Sequence, residues 1–223
     1  MKKSLLVLSI ATVLSAGAAN AAVPGTWNLG AAFGYNSASV RDTNNLSFSN
    51  GFVHETATVD DGDLDGYGLK IFGEYNFQSW ISAGVGYTYL DSGSMNVNAT
   101  AYAFGRHLAS AYIKSDVTSH VIEGYAKFNY SIDEQGTELF AKAGPILSFS
   151  DIKNMDGDSV TLGCVLGLGG QIALNPNLSI RAGYDYYYNT AAFTLKNSSD
   201  AAWDDQARIS NSMFYAGLNY TFD

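Results

Sequence analysis

The chain has 223 residues, a net charge of −9 and only 15% charged side chains, with 23 glycines, 15 tyrosines and 3 prolines. The acidic balance excludes nucleic acid as a partner, because no basic stripe exists to displace counterions from phosphates. Cys164 is the only cysteine, which excludes an intrachain disulfide.

Met1-Lys2-Lys3 forms a positive start, Leu5 to Val13 a short apolar run, and Ala19-Asn20-Ala21 an A-x-A site. Together they predict a cleaved signal peptide over residues 1–21, with Ala19 and Ala21 as the small residues just before the cut and a mature domain over 22–223. The apolar run is too short to cross about 30 Å of hydrocarbon, and no later stretch reaches the roughly 18 apolar residues of a spanning helix. A secreted chain that satisfies its backbone in lipid without helices must close a barrel; otherwise it is a soluble domain.

Alternation predicts eight strands in chain order. The first, Trp27 to Asn36, sends Trp27, Leu29, Ala31, Phe33 and Tyr35 one way and Asn28, Gly30, Ala32 and Gly34 the other. The second sends out Tyr67, Leu69, Ile71, Tyr75 and Phe77, turns at Gln78-Ser79, and leads to a third with Ile81, Ala83, Val85, Tyr87 and Tyr89 outward. The fourth shows Ile122, Ala126, Phe128 and Tyr130. After the polar turn 133–136 the fifth shows Leu139, Ala141, Ala143, Leu147 and Phe149. The sixth carries Leu162, Cys164, Leu166, Leu168, Ile172 and Leu174, and Asn175-Pro176-Asn177 ends it, since Asn and Pro set turn dihedrals. The seventh carries Leu178, Ile180, Ala182, Tyr184, Tyr186 and Tyr188; the eighth carries Phe214, Ala216, Leu218, Tyr220 and Phe222.

The connections after the even strands are a few residues long. Those after the odd strands are long: about 37–66, 91–119, 150–159 and 190–207. A soluble sandwich has no reason to gather all its long loops at one end. An even number of tilted strands with short periplasmic turns and long external loops is the outer-membrane pattern. The expected fold is therefore all-β: an eight-stranded antiparallel up-and-down transmembrane β-barrel in the bacterial outer membrane, with both termini periplasmic. Trp27, Tyr75, Phe77, Phe128, Tyr130, Tyr220 and Phe222 then form one aromatic girdle, and Tyr35, Tyr67, Tyr87, Tyr89, Phe149, Tyr186 and Tyr188 the other.

The segments Gly66-Tyr67-Gly68-Leu69-Lys70-Ile71-Phe72-Gly73-Glu74-Tyr75-Asn76-Phe77 and Gly84-Val85-Gly86-Tyr87-Thr88-Tyr89 resemble the small eight-stranded outer-membrane barrel family that includes the OmpA membrane domain, OmpX and the Ail/Lom proteins. Tyr220-Thr221-Phe222 is similar to that family's assembly signal, although Asp223 follows the terminal aromatic here. The resemblance implies recognition by the barrel assembly machinery, and contact with outer-membrane lipid and lipopolysaccharide.

The inward set holds Lys70, Glu74, Glu123, Lys127, Glu138, Lys142, Arg181 and Asp185, four basic and four acidic. Inside a narrow barrel they should pair, because an unpaired buried charge is costly. An eight-stranded barrel is just wide enough for side chains to fill it, so a structural polar plug is expected, with a small ion-conducting pore as the alternative. Leu166→Arg on the lipid face should be lost differently from a charge at inward Gly167.

His54, His107 and His120 fall in or beside external loops. Ser110 and Ser119 are nearby, but no acid completes a triad. No enzyme is expected, a lipid-modifying activity through His107 or His120 being the alternative, and no residue pattern calls for a cofactor. Asp61-x-Asp63-x-Asp65-Gly66 opens like a calcium loop, but Phe72 stands where the closing Glu belongs, leaving Asp61, Asp63 and Asp65 as candidate divalent-cation ligands. Asn50-Gly51 between Leu46-Ser47-Phe48 and Phe52-Val53-His54 signals a two-residue hairpin. Alternation through Met95–Thr100, with a return through Ala111-Tyr112-Ile113, extends the third strand beyond the membrane. The expected role is structural or surface interaction, as in adhesion or host or envelope contact, by a monomer whose external hairpins offer strand edges to a surface ligand.

Overall fold

In the wall strands every second residue is buried or a glycine and the intervening ones are exposed or half-buried and uncharged, which is the pattern of a sheet closed on itself with a lipid-facing exterior. The computed structural model describes residues 22–41, 46–49, 53–103, 106–133, 136–152, 159–196 and 202–222. The predicted signal peptide, with Ala19 and Ala21, lies outside the described residues.

Ten strands are described: β1 (Trp27–Arg41), β2 (Leu46–Ser49), β3 (Val53–Asp63), β4 (Asp65–Gln78), β5 (Ile81–Ala103), β6 (Arg106–Ser131), β7 (Thr137–Ile152), β8 (Ser159–Ala173), β9 (Leu178–Lys196) and β10 (Ala202–Phe222). Eight of them close an antiparallel barrel in the order β1-β4-β5-β6-β7-β8-β9-β10, with β10 returning to β1. The eight predicted strands are the membrane parts of these. Closure gives each wall strand two partners and removes sheet edges.

The outward face carries Trp27, Leu29, Phe33, Leu69, Ile71, Val85, Ile122, Leu166, Leu168 and Leu218, all exposed. Aromatic pairs mark the girdles. Trp27 lies 5.0 Å from Tyr75 and Tyr220 5.7 Å from Phe222 at the end bearing the termini; Phe33 lies 6.2 Å from Tyr67 and Tyr67 6.0 Å from Tyr89 at the other. Rings of this kind suit the two headgroup levels, where an apolar body and a polar tip are both satisfied.

The predicted loops are largely strand. β5 and β6 rise well past the wall and stay paired from Ser94↔Asp116 to Ala103↔Arg106. β3 pairs with the upper part of β5, from Asp63↔Ser94 to Val53↔Ala103, and β2 pairs with β3. The result is a four-stranded protruding sheet in the order β2-β3-β5-β6. The hairpin expected at Asn50-Gly51 does form between β2 and β3, but its register pairs Ser49 with His54 and so encloses four residues. A two-residue turn would have paired Ser49 with Phe52. Residues 50–52 lie outside the described set.

Candidate functional site

Two parts of the molecule could carry function: the charged lumen and the protruding sheet. The lumen is built in layers, because inward residues two apart on a tilted strand rise through the barrel in steps. On β6 the inward series from the end that bears the chain termini reads Asn129, Lys127, Tyr125, Glu123, Val121, Ser119, Val117, Ser115, all buried.

The lower charged layer centres on Glu74. Arg181 donates to both of its oxygens at 2.7 Å, Lys127 Nζ to Oε2 at 2.7 Å, and Tyr125 Oη to Oε1 at 2.9 Å. Such a bidentate fork fixes geometry as well as charge. Arg181 also donates to Gln171 Oε1 at 3.0 and 2.9 Å, and its guanidinium lies 4.5 Å from the Phe72 ring centre and 5.0 Å from that of Phe140. Glu138 is different. It approaches Lys127 only at 3.7 Å, and neither oxygen has a hydrogen-bond partner among the described residues.

The upper layer is a closed ring of alternating charge. Lys70 Nζ meets Glu123 and Asp185, and Lys142 Nζ meets the same two acids at 3.1 and 2.8 Å. Each layer carries two cations and two anions, so neither presents a net charge to an ion in transit. Above them Leu90, Val121, Ile146, Val165 and Met213 make an apolar layer, and above that Asn36, Ser92, Ser119, Ser150, Thr161, Thr190 and Asn211 make a hydroxyl and amide layer. Lumen aromatics lie against glycines of neighbouring strands: a Cβ on Gly30 would stand 2.2 Å from the Phe72 ring, and one on Gly84 2.7 Å from the Tyr125 ring. Gly167 is equally hemmed in, since a Cβ there would stand 2.3 Å from Asp185 Oδ1. It is therefore not a free lumen position for a substituted charge.

The histidines are separated. His120 lies on the lipid-facing side of β6, where Tyr87 Oη is 2.7 Å from its Nδ1, while Ser119 points inward to Ser150 at 2.8 Å. Neighbours in sequence, they occupy opposite faces of one strand and cannot act together. His107 Nε2 is 2.7 Å from Ser110 Oγ on the protruding sheet, and among the described residues no acid meets its other nitrogen. The side chain of His54 lies outside the described set.

Asp61 and Asp63 belong to β3 and Asp65 to β4, with buried Leu64 between them, so the backbone runs as two strands rather than a loop that wraps an ion. The side chains of Asp61 and Asp63 lie outside the described residues. Among those described, no group of three or more His, Cys, Asp or Glu side chains is placed to hold a metal. Tyr220 and Phe222 sit exposed at the end of β10.

Sequence reasoning missed the partner Gln171 and the hydroxyl and amide layer; parity puts Tyr125 inward, with Phe72, Phe140, Tyr187, Met213 and Tyr215, but does not name Glu74 as its partner. The signal was present in the inward parity of each strand, but the charged and large inward residues stood out and the small polar ones did not.

The fold is shared with Neisserial surface protein A, at 15% identity with a TM-score of 0.53 over 89% of this chain and 97% of that one. It is also shared with the outer membrane protein OprG from Pseudomonas aeruginosa, at 13% identity with a TM-score of 0.56 over 92% and 99% of the two chains. No curated protein sequence matches the chain. A family model described as outer membrane protein beta-barrel domain matches residues 6–222. The chain therefore belongs to the outer-membrane β-barrel domain family, as a small eight-stranded barrel of the bacterial outer membrane whose wall meets lipid.

Proposed function

We propose that the protein is a surface-interaction barrel, a rigid non-conducting post that presents its protruding sheet outside the cell, with both termini periplasmic. The observation that carries this is the outer edge of β6 over Arg106–Ile113. Over Arg106–Ile113 the strand pairs, among the described residues, with β5 alone, and pairing with β7 begins at Val117. An open edge is a template for another strand, and soluble proteins blunt such edges with lysine, proline or a bulge. Here Ala109 to Ile113, beyond a register shift at Leu108, contains no charge and no proline and pairs with β5 in unbroken register. An extended segment of a partner at the cell surface fits that edge by strand addition, with main-chain bonds supplying affinity. Lipopolysaccharide surrounds the upper girdle, and Tyr220 and Phe222 serve recognition by the assembly machinery.

The test is attachment of cells to a host-cell monolayer. Proline at Ala111 removes a main-chain donor and distorts the edge. Loss of two backbone bonds at about 0.5–1.5 kcal/mol each predicts roughly a tenfold fall in attachment. Heat-modifiability of the variant on denaturing gels should be unchanged, since the wall is untouched. Full attachment by the folded variant would end the proposal.

The lumen supports the non-conducting part: neutral charge rings and an apolar layer leave no wet path through side chains buried to a few per cent. Planar bilayers containing the purified barrel should show no stepwise conductance. Regular steps would instead favour a pore.

A further inference from the structure

The end of the lumen that bears the chain termini is floored by a belt of buried polar side chains. Asn76 Nδ2 donates to Thr26 Oγ1 at 3.0 Å, Ser82 Oγ to Asn76 Oδ1 at 2.7 Å, and Asn129 Nδ2 to Ser82 Oγ at 2.9 Å. Further round, Asn219 Nδ2 donates to Gln171 Oε1 at 3.3 Å. Glu138 of β7 stands between Asn129 on β6 and Gln171 on β8, and pairs directly with Gln171 across the ladder. This belt is short of donors. Both Glu138 oxygens, Asn129 Oδ1 and Asn219 Oδ1 have no hydrogen-bond partner, whereas among the described residues no buried side-chain nitrogen goes without one. Asn129 gives its nitrogen to the β5 side, which turns its oxygen toward Glu138 on the β7 side. A buried acceptor without a donor is costly, and a carboxylate most of all.

The chain leading into β1 lies over the same floor. Val23-Pro24-Gly25-Thr26 is a tight turn: Thr26 N donates to the Val23 carbonyl at 3.3 Å and Gly25 has φ 86°. Proline and glycine at the two central positions are the type II signature. The turn brings the residues before it back toward the barrel. Thr26 Oγ1, a member of the floor, donates to the Val23 carbonyl at 2.7 Å and so holds Val23 on the lumen side. Ala22, one residue further back, is buried, while Trp27, Phe77 and Phe222 on the outer face at this end stay exposed and give no such cover. β7 faces β1 across the barrel, four strands away in either direction. The lumen is narrow enough for such strands to meet: Tyr187 of β9 reaches Thr88 of β5, equally far round, at 3.2 Å.

We propose that the floor is a binding site for an ammonium group, filled by the chain's own α-amino group at Ala22 once the leader is removed. The site is complete only after the cleavage expected behind Ala21. Hydrolysis of the Ala21–Ala22 amide by a signal peptidase puts the water's oxygen on the Ala21 carbonyl carbon, which leaves as a carboxylate, and its protons on the Ala22 nitrogen. A single amide N–H thereby becomes an ammonium with three N–H donors, the kind of group the floor lacks. Those donors go to Glu138 and Asn129, and the start of the mature chain becomes the peg that closes this mouth.

The test uses the processed protein purified from outer membranes in detergent. The tryptic peptide Ala22–Arg41 contains no lysine, so an amine-acylating succinimidyl ester marks it at the α-amino group alone. Mass spectrometry of that peptide after quenching reads the labelling rate. At neutral pH the folded barrel should be labelled roughly tenfold more slowly than the chain unfolded in urea, as the loss of one charge-assisted hydrogen bond implies. Glu138→Gln, which removes the carboxylate, and Gly25→Val, which breaks the turn, should each recover most of the unfolded rate. Heat-modifiability checks that both variants fold. Equal labelling of the folded and unfolded protein would mean that Ala22 is not seated. Slow labelling that Glu138→Gln leaves unchanged would mean that Glu138 does not hold it. A mature chain that begins elsewhere than at Ala22 would place no ammonium there. Each of these results overturns the proposal.

Discussion

Replacing Glu74 by alanine lowers the stability of the barrel by about 3–5 kcal/mol, because breaking a buried pair from one side strands its partners. Here two cations are stranded together, since Arg181 loses both carboxylate bonds and Lys127 its 2.7 Å contact. Tyr125 loses an acceptor as well. Nothing nearby can replace that charge: Glu138 reaches only Lys127, at 3.7 Å. Urea unfolding in lipid vesicles, followed by tryptophan fluorescence, measures the loss. Glu138→Gln is the internal comparison. Its carboxylate accepts no hydrogen bond among the described residues, so its removal should cost much less than that of Glu74. Equal losses would show that burial alone, and not the geometry around Glu74, sets the energy of the layer.

Leu166→Arg on the lipid side is expected to cost about 2–4 kcal/mol, the range for a cationic side chain at the bilayer midplane. Leu166 is exposed, lies near the middle of β8, and stands opposite Ala143 and Tyr186 on the adjoining strands. Val160→Arg serves as the control. It faces the same way on the same strand but six residues nearer the rim away from the chain termini, where the cost falls to about 0–1 kcal/mol. The same urea titration reads both. Matching costs at the two positions would contradict the depth assigned to β8. Gly167, the inward neighbour of Leu166, is a poor comparison, because Asp185 and Lys142 already fill the space a side chain would need.

Much of this wall could be read directly from the chain, for a physical reason. A barrel with lipid outside and packed side chains inside imposes a period of two on every spanning strand, and Trp27–Tyr35, Leu162–Leu168 and Phe214–Phe222 carry that period without interruption. Inward charges were visible by the same parity. Which charge meets which was not, because Glu74 and Arg181 are 107 residues apart and their meeting depends on the register of the whole cylinder. The protruding sheet was partly legible, since Met95–Thr100 alternates as the wall does. The pairing of β3 with β5 was not, because it is a contact between two external hairpins that leaves no local pattern.

The seam between β1 and β10 bears on the order in which the barrel can be made. All fifteen residues of β1 are paired with β10, from Trp27↔Phe222 to Arg41↔Arg208, and β10 is the last of the ten strands to be synthesised. Until it arrives, β1 and β9 each present a full-length open edge. Closing a loop of nearly the whole domain is the slow, non-local step of such a topology. A nascent molecule must therefore be held apart from its neighbours for as long as β10 is missing. Shortening β10 should show itself first as aggregation during biogenesis, before any weakening of the finished barrel.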